Sequence, residues 1–240
     1  MRIYQSSIPQ SGSFQLDARA THYLANVLRA NINDPLTLFD GLGNEYAAVI
    51  TSITKKTIVV DILSFQQRSV ESNLNIILAQ GIARGEKMDF IIQKAVELGV
   101  TTIIPLVTER SNVRLEKERS EKRLQHWHSI MISACEQSGR NYLPNISSPT
   151  TLSNWLPHCQ ADQRFVLTPH ESNKLSFSPA RMLRTIAILL GPEGGLSDDE
   201  IRQAKNEHFL SLNLGPRILR TETATIAAIS ILQYAYGDFA

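Results

Sequence analysis

The sequence is short of the features that mark disulfide-rich, zinc-binding and membrane-spanning proteins. It has two cysteines in 240 residues, Cys135 and Cys159, and their spacing suits neither a zinc site nor a disulfide framework. Its longest apolar runs, such as residues 185–190, are far shorter than the ~20 residues that cross a bilayer. The opening MRIYQSSIPQ lacks the apolar stretch of a secretory signal. We therefore expect a cytoplasmic protein with no metal site and no membrane partner.

Net charge is also nearly absent, because 24 basic residues stand against 23 acidic ones. The overall charge therefore does not indicate a nucleic-acid partner, and any RNA contact must rest on local clusters of Arg and Lys. Neither the Gly-x-Gly-x-x-Gly loop of dinucleotide-binding folds nor the Gly-Lys-Ser/Thr of a phosphate-binding P-loop occurs. Nicotinamide dinucleotides and nucleoside triphosphates are therefore weak candidates as ligands.

The sequence does show a change of rhythm near residue 72. Residues 1–72 have short β-branched and aromatic runs between turn signals, interrupted by one helical pattern at about 20–30, which is typical of a small β-barrel. From 73 to 240, buried strands alternate with helices, which predicts a parallel sheet. We predict an α/β protein with two domains, 1–72 and 73–240.

The most informative segment of the second domain is ILLGPEGGLSDDE, a buried strand followed by a turn and an acidic helix that a serine caps. Ligands of open α/β sheets bind beyond the carboxyl ends of strands, where this turn lies. Its glycines allow a ligand to approach the backbone closely, and Pro192 stiffens the loop. The turn predicts a site for a flat, polar adenine or ribose, although a purely structural turn of this composition is about as common.

A second segment, LNLGPRILRTETATIAAISILQ, repeats the order of strand, Gly-Pro turn and helix. The turn carries Arg217 and Arg220, and Thr221 or Thr223 is positioned to cap the helix. The helix is rich in Ala and Thr, which permit close packing against a folded-back chain or a second subunit, or simply burial.

These two segments closely resemble the 16S ribosomal RNA uridine N3-methyltransferase family of the SPOUT superfamily. ARGEKMDFIIQKAVELGV at 83–100, ACEQSGR at 134–140 and the N-terminal HYLANVLR agree as well, so the resemblance covers nearly the whole chain. It implies an N-terminal PUA-like β-barrel that docks RNA, and a C-terminal SPOUT-type α/β domain with a deep trefoil knot. It also implies S-adenosyl-L-methionine as cofactor, 16S ribosomal RNA in the small subunit as partner, and a homodimer.

By position, the resemblance assigns three loops to the cofactor. Their residues are Leu167, Thr168, Pro169, Leu190, Gly191, Pro192, Glu193, Gly194, Gly195, Leu212, Leu214, Gly215, Ile218, Leu219 and Arg220. We expect Gly194→Val to block cofactor binding by crowding while the protein stays folded.

Methyl transfer from a sulfonium is an in-line displacement, so the protein mainly has to align the reacting atoms. N3 of uridine carries a proton on its pairing edge, so the base must be unpaired and lose that proton. We expect Arg220 to stabilise negative charge on the uracil, and Glu222 or Glu193 to accept the proton. The alternatives are a structural ion pair for Arg220, and for the carboxylates a favourable interaction with a helix dipole.

RNA must also be held by its phosphates, through basic residues grouped along the chain. The candidates are Arg2, His22 and Arg29 in the first domain and Arg84, Lys87, Lys94, Arg110, Arg114 and Arg140 in the second. A solvated helix with internal ion pairs is an equal alternative for residues 109–123, and a lone surface histidine for His22. Two rival functions stay open: methylation of another ribosomal or transfer RNA nucleotide, and a non-catalytic RNA-binding protein of ribosome assembly.

Overall fold

The chain folds into two compact units in a computed structural model, which describes residues 1–111, 117–168 and 183–239 and only the backbone of 117–119. The first unit consists of Met1–Glu71 together with Cys135–Leu143. The second consists of Ser72–Ala134 together with Pro144–Ala240. A segment of nine residues from the middle of the sequence thus packs with the N-terminal unit.

The first unit is built on a five-stranded sheet in the order β1-β3-β4-β5-β2. Its strands are β1 (Arg2–Tyr4), β2 (Gly12–Gln15), β3 (Pro35–Phe39), β4 (Asn44–Ile53) and β5 (Ile58–Gln67). β1 runs parallel to β3, and the other neighbours are antiparallel. Alternate residues Ile58, Val60 and Ile62 of β5 face the buried core, as a half-buried strand requires. The small N-terminal β domain predicted from the sequence is confirmed.

The helix predicted at about residues 20–30 is shorter and begins earlier. Helix α1 spans Ala18–His22, and a π-helical turn at Tyr23–Val27 follows it. It begins at Ala18 because the Asp17 carboxylate accepts a hydrogen bond from the N–H of Ala20 at 2.7 Å. Arg29 has a φ of 51°, outside the helical region, so the predicted helical end at residue 30 is wrong.

The second unit contains a parallel sheet with the strand order β12-β10-β11-β6-β7-β8, and β9 also pairs with β7. Its strands are β6 (Asn75–Gly81), β7 (Thr102–Val107), β8 (Asn145–Ile146), β9 (Thr150–Thr151), β10 (Gln163–Leu167), β11 (Thr185–Leu190) and β12 (Leu210–Leu212). β6 and β11 are almost fully buried, which explains their near-continuous apolar sequence. The parallel α/β domain is therefore confirmed.

Five further α-helices of the described residues lie between or after these strands. They are α2 (Glu86–Glu97), α3 (Lys117–Ser138), α4 (Leu152–Trp155), α5 (Asp198–Asn206) and α6 (Thr221–Tyr236). Helix α5 begins with the predicted cap, since Ser197 and Glu200 form a capping box. Helix α3 ends before Gly139, whose φ of 83° suits glycine at a helix end. Over the described ranges of the chain, no helix is long and apolar enough to span a membrane.

The predicted threonine cap of α6 is wrong. Arg220 occupies the N-cap position and makes no side-chain capping bond within the described structure. Thr221 is the first helical residue, and its hydroxyl donates to the carbonyl of Gly191 at 2.8 Å. The threonine therefore ties the helix to the glycine loop. The trefoil knot implied by the resemblance stays a prediction.

Candidate active site

A cavity of about 490 Å³ opens at the carboxyl ends of β10, β11 and β12. The last residue of each strand, Leu167, Leu190 and Leu212, lines it, and Leu167 pairs with Leu212 across the sheet. The loops after β11 and β12 and the first turn of α6 form its walls. Its volume lies within the roughly 300–1,000 Å³ of small-molecule sites, and its position is where parallel sheets bind ligands.

The loop after β11, residues 191–196, is packed so closely that side chains are excluded at two glycines. A Cβ on Gly191 would lie 2.6 Å from the backbone carbon of Gly195. A Cβ on Gly81, the last residue of β6, would lie 2.5 Å from Cδ of Pro192. The N–H of Gly195 donates to the carbonyl of Pro192 at 2.9 Å, which closes the turn. The glycines therefore allow the loop to fold onto itself and onto β6.

Gln80, fully buried near the end of β6, connects this loop to helix α6. Its amide nitrogen donates to the carbonyl of Gly191 at 3.1 Å and to the hydroxyl of Thr221 at 3.2 Å. Its amide oxygen accepts from the hydroxyl of Thr225 at 2.8 Å. Buried polar groups are costly unless they are paired, and a fully paired network favours one arrangement of the parts it joins. Gln80 and Thr225 thus position the loop and the helix start at the cavity.

A second connection fixes Arg110 against the same loop. The buried carboxylate of Glu200 accepts from the N–H of Ser197 at 2.9 Å and from the N–H of Glu109 at 2.8 Å. The capping box of α5 thereby holds the segment after β7. Beside Glu109, the guanidinium of Arg110 donates to the carbonyl of Gly194 at 3.0 Å. Arg110 lines the cavity and stabilises the loop, a role that the sequence alone did not indicate.

Glu193 lines the cavity and is held as a carboxylate by donors from the segment after β6. Its Oε1 accepts from the N–H of Arg84 at 3.1 Å and lies 3.4 Å from Nζ of Lys87. Partial burial acts to raise the pKa of Glu193, but hydrogen bonds from backbone N–H groups and from Lys87 outweigh it, so the pKa lies below its usual value. A carboxylate stabilised in this way is a poor proton acceptor and a good anchor for the loop.

Arg220 and Glu222 stand at the start of α6 and differ in their surroundings. Arg220 is exposed and lines the cavity, and it forms no ion pair with either predicted carboxylate in the described structure. Oε2 of Glu222 is buried and has no hydrogen-bond partner among the described residues. The guanidinium is thus available to a ligand, whereas Glu222 keeps an unpartnered oxygen but is not among the described residues that line the cavity.

The structure brings together nearly all residues predicted to bind a cofactor. Those lining the cavity are Leu167, Leu190, Gly191, Pro192, Glu193, Gly194, Gly195, Leu212, Leu214, Gly215, Ile218, Leu219 and Arg220. Thr168 is buried behind β10, and its hydroxyl has no partner within the described ranges. Pro169 lies outside the described residues.

The expectation for Gly194→Val stays a prediction. A Cβ on Gly194 would lie 3.1 Å from Cβ of Arg110, a side chain that also lines the cavity. Crowding at this position therefore acts on Arg110 first. Gly191 is the glycine whose substitution would distort the loop itself, because its Cβ would meet backbone atoms.

The cavity suits a ligand that combines a flat polar ring with a charged tail. A Cβ on Gly195 or Gly215 would meet nothing within 4 Å, so open space adjoins the backbone there and a planar group could approach it closely. Leucine side chains from all three strand ends, together with Ile201 of α5 and Ile218 of the loop after β12, supply apolar walls. Arg110, Asp198, Arg217 and Arg220 supply charges of both signs for an amino-acid group. These properties fit S-adenosylmethionine.

Two residues predicted to bind RNA are instead parts of a buried ion network in the first unit. Arg2 pairs with the buried carboxylate of Glu45 and the side chain of Asn141. Arg140, whose side chain is 6% exposed, pairs with Glu71. An RNA phosphate would have to displace these partners. The network holds the segment Cys135–Leu143 in the first unit, and we no longer propose Arg2 and Arg140 as RNA contacts.

The remaining RNA candidates occupy varied surroundings. His22 and Arg29 are exposed in the first unit, and Arg84 is exposed in the second. Lys87 and Arg110 line the cavity. Lys94 contacts Glu97 at 2.8 Å and lies over the ring of Phe90, so it belongs to an internal pair of α2. Arg114 lies outside the described residues.

Comparison with known proteins bears on the same two parts of the chain. A family model described as an RNA methyltransferase domain matches residues 70–233, and one described as an RNA methyltransferase PUA domain matches residues 16–63. A ribosomal RNA small subunit methyltransferase E from Buchnera aphidicola (Schizaphis graminum) is 40% identical over 91% of this chain and 89% of its own. The protein of the same name from Bacillus subtilis is 28% identical over 98% of this chain and 94% of its own.

Solved structures are similar over almost the full length. A ribosomal RNA small subunit methyltransferase E from Neisseria gonorrhoeae, bound to S-adenosylmethionine, has a TM-score of 0.91 and 38% identity over 100% of this chain and 99% of its own. A Legionella pneumophila protein in complex with the same cofactor has a TM-score of 0.95 and 41% identity, covering 99% and 98% of the two chains.

Proposed function

Because this chain belongs to the ribosomal RNA small subunit methyltransferase E family, we propose that it transfers the methyl group of S-adenosylmethionine to N3 of a uridine in 16S ribosomal RNA. The observation that carries the proposal is the cavity at the ends of β10, β11 and β12, which has the size and lining for that cofactor. Two relatives with at least 38% identity over nearly the whole chain were solved with it bound.

The cofactor supplies an electrophilic methyl group on a sulfonium, and the residues of this chain align it and the base. The closely packed loop 191–196 and the loop after β12 would hold adenosine against the backbone, since open space adjoins Gly195 and Gly215. Hydrogen bonds of Gln80 and Thr221 hold the glycine loop against the start of helix α6. Alignment of this kind can supply several kcal/mol of the barrier reduction, on the order of 7–11 kcal/mol at best.

Arg220 and Glu222 are the residues we assign to the base. As the N3–H proton leaves, negative charge grows on the uracil oxygens, and the exposed guanidinium of Arg220 would stabilise it. Glu222, two residues on, would take the proton through a water or after a side-chain rotation, because its Oε2 is buried and it does not line the cavity. Glu193 is less suited to accept it, because Arg84 and Lys87 stabilise its charged form.

We also propose that the chain acts as a homodimer in the cytoplasm. Large apolar side chains on the second unit stay exposed in one chain, with Tyr234 68%, Phe239 48% and Phe90 42% exposed. Exposed apolar side chains that form one patch mark interaction surfaces, and helices α2 and α6, which carry Phe90 and Tyr234, pack against each other. Light scattering should give twice the mass of one chain in solution. A mass equal to that of a single chain would contradict the proposed dimer.

The experiment that tests the function is transfer of a labelled methyl group to naked 16S RNA and to assembled small subunits, followed by nucleoside analysis. We expect 3-methyluridine, and a primer-extension stop at one position because that methyl blocks base pairing. Label in a different nucleoside or in transfer RNA would favour the rival substrates. Cofactor binding with no transfer to any RNA would favour the non-catalytic role.

A further inference from the structure

A second cavity, of about 290 Å³, lies on the other side of the segment that anchors Glu193. Arg84, Gly85 and Met88 line it, whereas Lys87 lines the first cavity. The N–H of Arg84 and the ammonium of Lys87 both contact Glu193, so the turn between β6 and α2 separates the two cavities. A ligand in the second cavity would therefore lie close to the glycine loop.

The floor of this cavity is apolar and its rim is basic. Ile82, Met88 and Trp127 form the floor, and each is at most 3% exposed. Arg84 from the turn and Arg123 from α3 provide two guanidinium groups at the same cavity. A planar apolar group with an attached anion suits such a site, because the floor would cover the former and arginine pairs with oxyanions.

A hydrogen-bonding pair completes the rim. Nε2 of His126 lies 2.8 Å from Oδ2 of Asp89, and both residues line the cavity. The imidazole is 58% exposed and the carboxylate 30%, so both can reach a ligand. A carboxylate beside two arginines disfavours a plain polyanion and favours a ligand with its own hydrogen-bond donors. A nucleobase edge has both donors and acceptors, and a nucleotide adds the phosphate.

We propose that this second cavity binds one unpaired nucleotide of the substrate RNA that flanks the target uridine, with its base on the apolar floor and its phosphate at Arg84 and Arg123. The volume of about 290 Å³ is that of a single small ligand. Arg84 and Lys87 are three residues apart, so at most about 10 Å of backbone separates them. A nucleotide in the second cavity would therefore be a near neighbour of the target uridine along the RNA. The inference rests on the proposed function.

The test combines changes in the protein with changes in the RNA. The full-length protein is titrated into a fluorescent fragment of 16S RNA that spans the methylated uridine, and into fragments in which one neighbouring nucleotide at a time lacks its base. The variants are Arg123→Ala and His126→Ala, both on α3 at the rim. The control is Arg202→Ala, which removes an arginine that is 68% exposed on α5 and lines neither cavity.

For the wild type and the control, we expect one base-less position to weaken binding about tenfold. Removal of the same base should weaken binding by less than about threefold in Arg123→Ala and His126→Ala. The reason is that a variant that has already lost its contact with that nucleotide has less affinity left to lose. Affinity for S-adenosylmethionine, measured on each variant, should stay within about twofold and serves as the check on folding.

Two results would overturn the inference. In the first, Arg123→Ala binds every RNA fragment with the affinity of the control. In the second, removal of a base lowers the affinity by the same factor in the wild type and in all variants. Failure of the proposed function is a separate outcome. In that case the wild-type protein would methylate no RNA. If the wild type methylates RNA but base removal costs the variants as much affinity as it costs the wild type, only the second site is ruled out.

Discussion

At the scale of single residues, the side chains at the cavity are of two kinds: some hold the glycine loop in place, and others can contact a ligand. Glu193 and Arg110 are committed to contacts within the loop, with Arg84 and Lys87 on one side and the carbonyl of Gly194 on the other. Arg220 lines the same cavity without such a commitment in the described structure. Arg220 is therefore the lining residue to test for chemistry, and Glu222, whose buried Oε2 has no described partner, is the second candidate.

Arg220→Ala should slow methyl transfer at saturating cofactor by about 10²- to 10³-fold, the usual effect of removing one group that stabilises developing charge. Arg220→Lys should recover only part of the rate, because an ammonium lacks the planar fork of donors. Single-turnover transfer to 16S RNA measures both, with Arg202→Ala as the matched control, since this exposed arginine does not line the cavity. A wild-type rate in Arg220→Ala would remove this residue from the chemistry.

Glu193→Gln tests the anchor through pH. The pKa of Glu193 is lower in the folded protein, so its stabilising effect is present above its unfolded value of about 4.5 and is lost as the pH falls through the folded value. At pH 7 the wild type should exceed the variant in free energy of unfolding by no more than about 1 kcal/mol, since the pair is partly exposed.

Urea denaturation at pH 7 and near pH 3 measures this difference in the free energy of unfolding. The gap between wild type and Glu193→Gln should close on acidification, because the wild-type carboxyl becomes protonated. A gap that widens at low pH would mean that Glu193 is not held as an anion.

At the scale of secondary-structure elements, the glycine loop has steric demands that differ from one glycine to the next. Gly191→Ala places a Cβ against backbone atoms and should weaken cofactor binding by about 1–3 kcal/mol, or roughly fivefold to 150-fold. Gly194→Ala needs only a small shift of Arg110 and should change affinity by about twofold or less. Calorimetric titration with S-adenosylmethionine measures both, and equal losses would contradict this difference.

The strands and loops of this site could be predicted from sequence because their signals are local. A buried strand, a Gly-Pro turn and a serine cap stand next to one another around residue 191, so the pattern predicted a site at strand ends where the structure has a cavity. The partnership of Gln80 with Thr225 joins residues 145 positions apart, and neither has a local signal beyond being polar in an apolar element. Similarly, Thr221 reads as a helix cap, but tertiary packing turns its hydroxyl to Gly191.

At the scale of the whole molecule, the sequence predicted two domains of different architecture but not the placement of Cys135–Leu143. That segment packs with the first unit through Arg140 and Asn141, whose partners lie about 70 or more residues earlier. From the sequence alone, Arg140 looks like a residue that contacts RNA, because its carboxylate partner is distant in the chain. Charge patterns alone do not distinguish a buried ion network from a binding surface.

Each unit also carries one buried cysteine, and the two should respond differently to the cofactor. Burial raises the pKa of Cys135 to about 12 and that of Cys159 to about 11, so both thiols should react only when their surroundings open. Cys159 lies in the second unit with the cavity. Cofactor at 100 times its Kd should stabilise that unit by about 2.7 kcal/mol.

Alkylation of Cys159 in mild denaturant should therefore slow by up to about a hundredfold with the cofactor present. Peptide mass analysis separates it from Cys135, which serves as the internal reference for the first unit. Protection of Cys135 with no effect on Cys159 would contradict a cofactor site in the second unit.

The location of the methyl-donor site can be measured most directly by ultraviolet crosslinking of labelled S-adenosylmethionine to the full-length protein, followed by tryptic mapping. The label is expected in the peptide 185–202, which carries β11 and the glycine loop, and in 206–217, which carries β12 and its turn. An excess of unlabelled cofactor should remove it from both. Label confined to peptides of the first unit, or to peptides of the second unit far from these loops, would contradict the assignment.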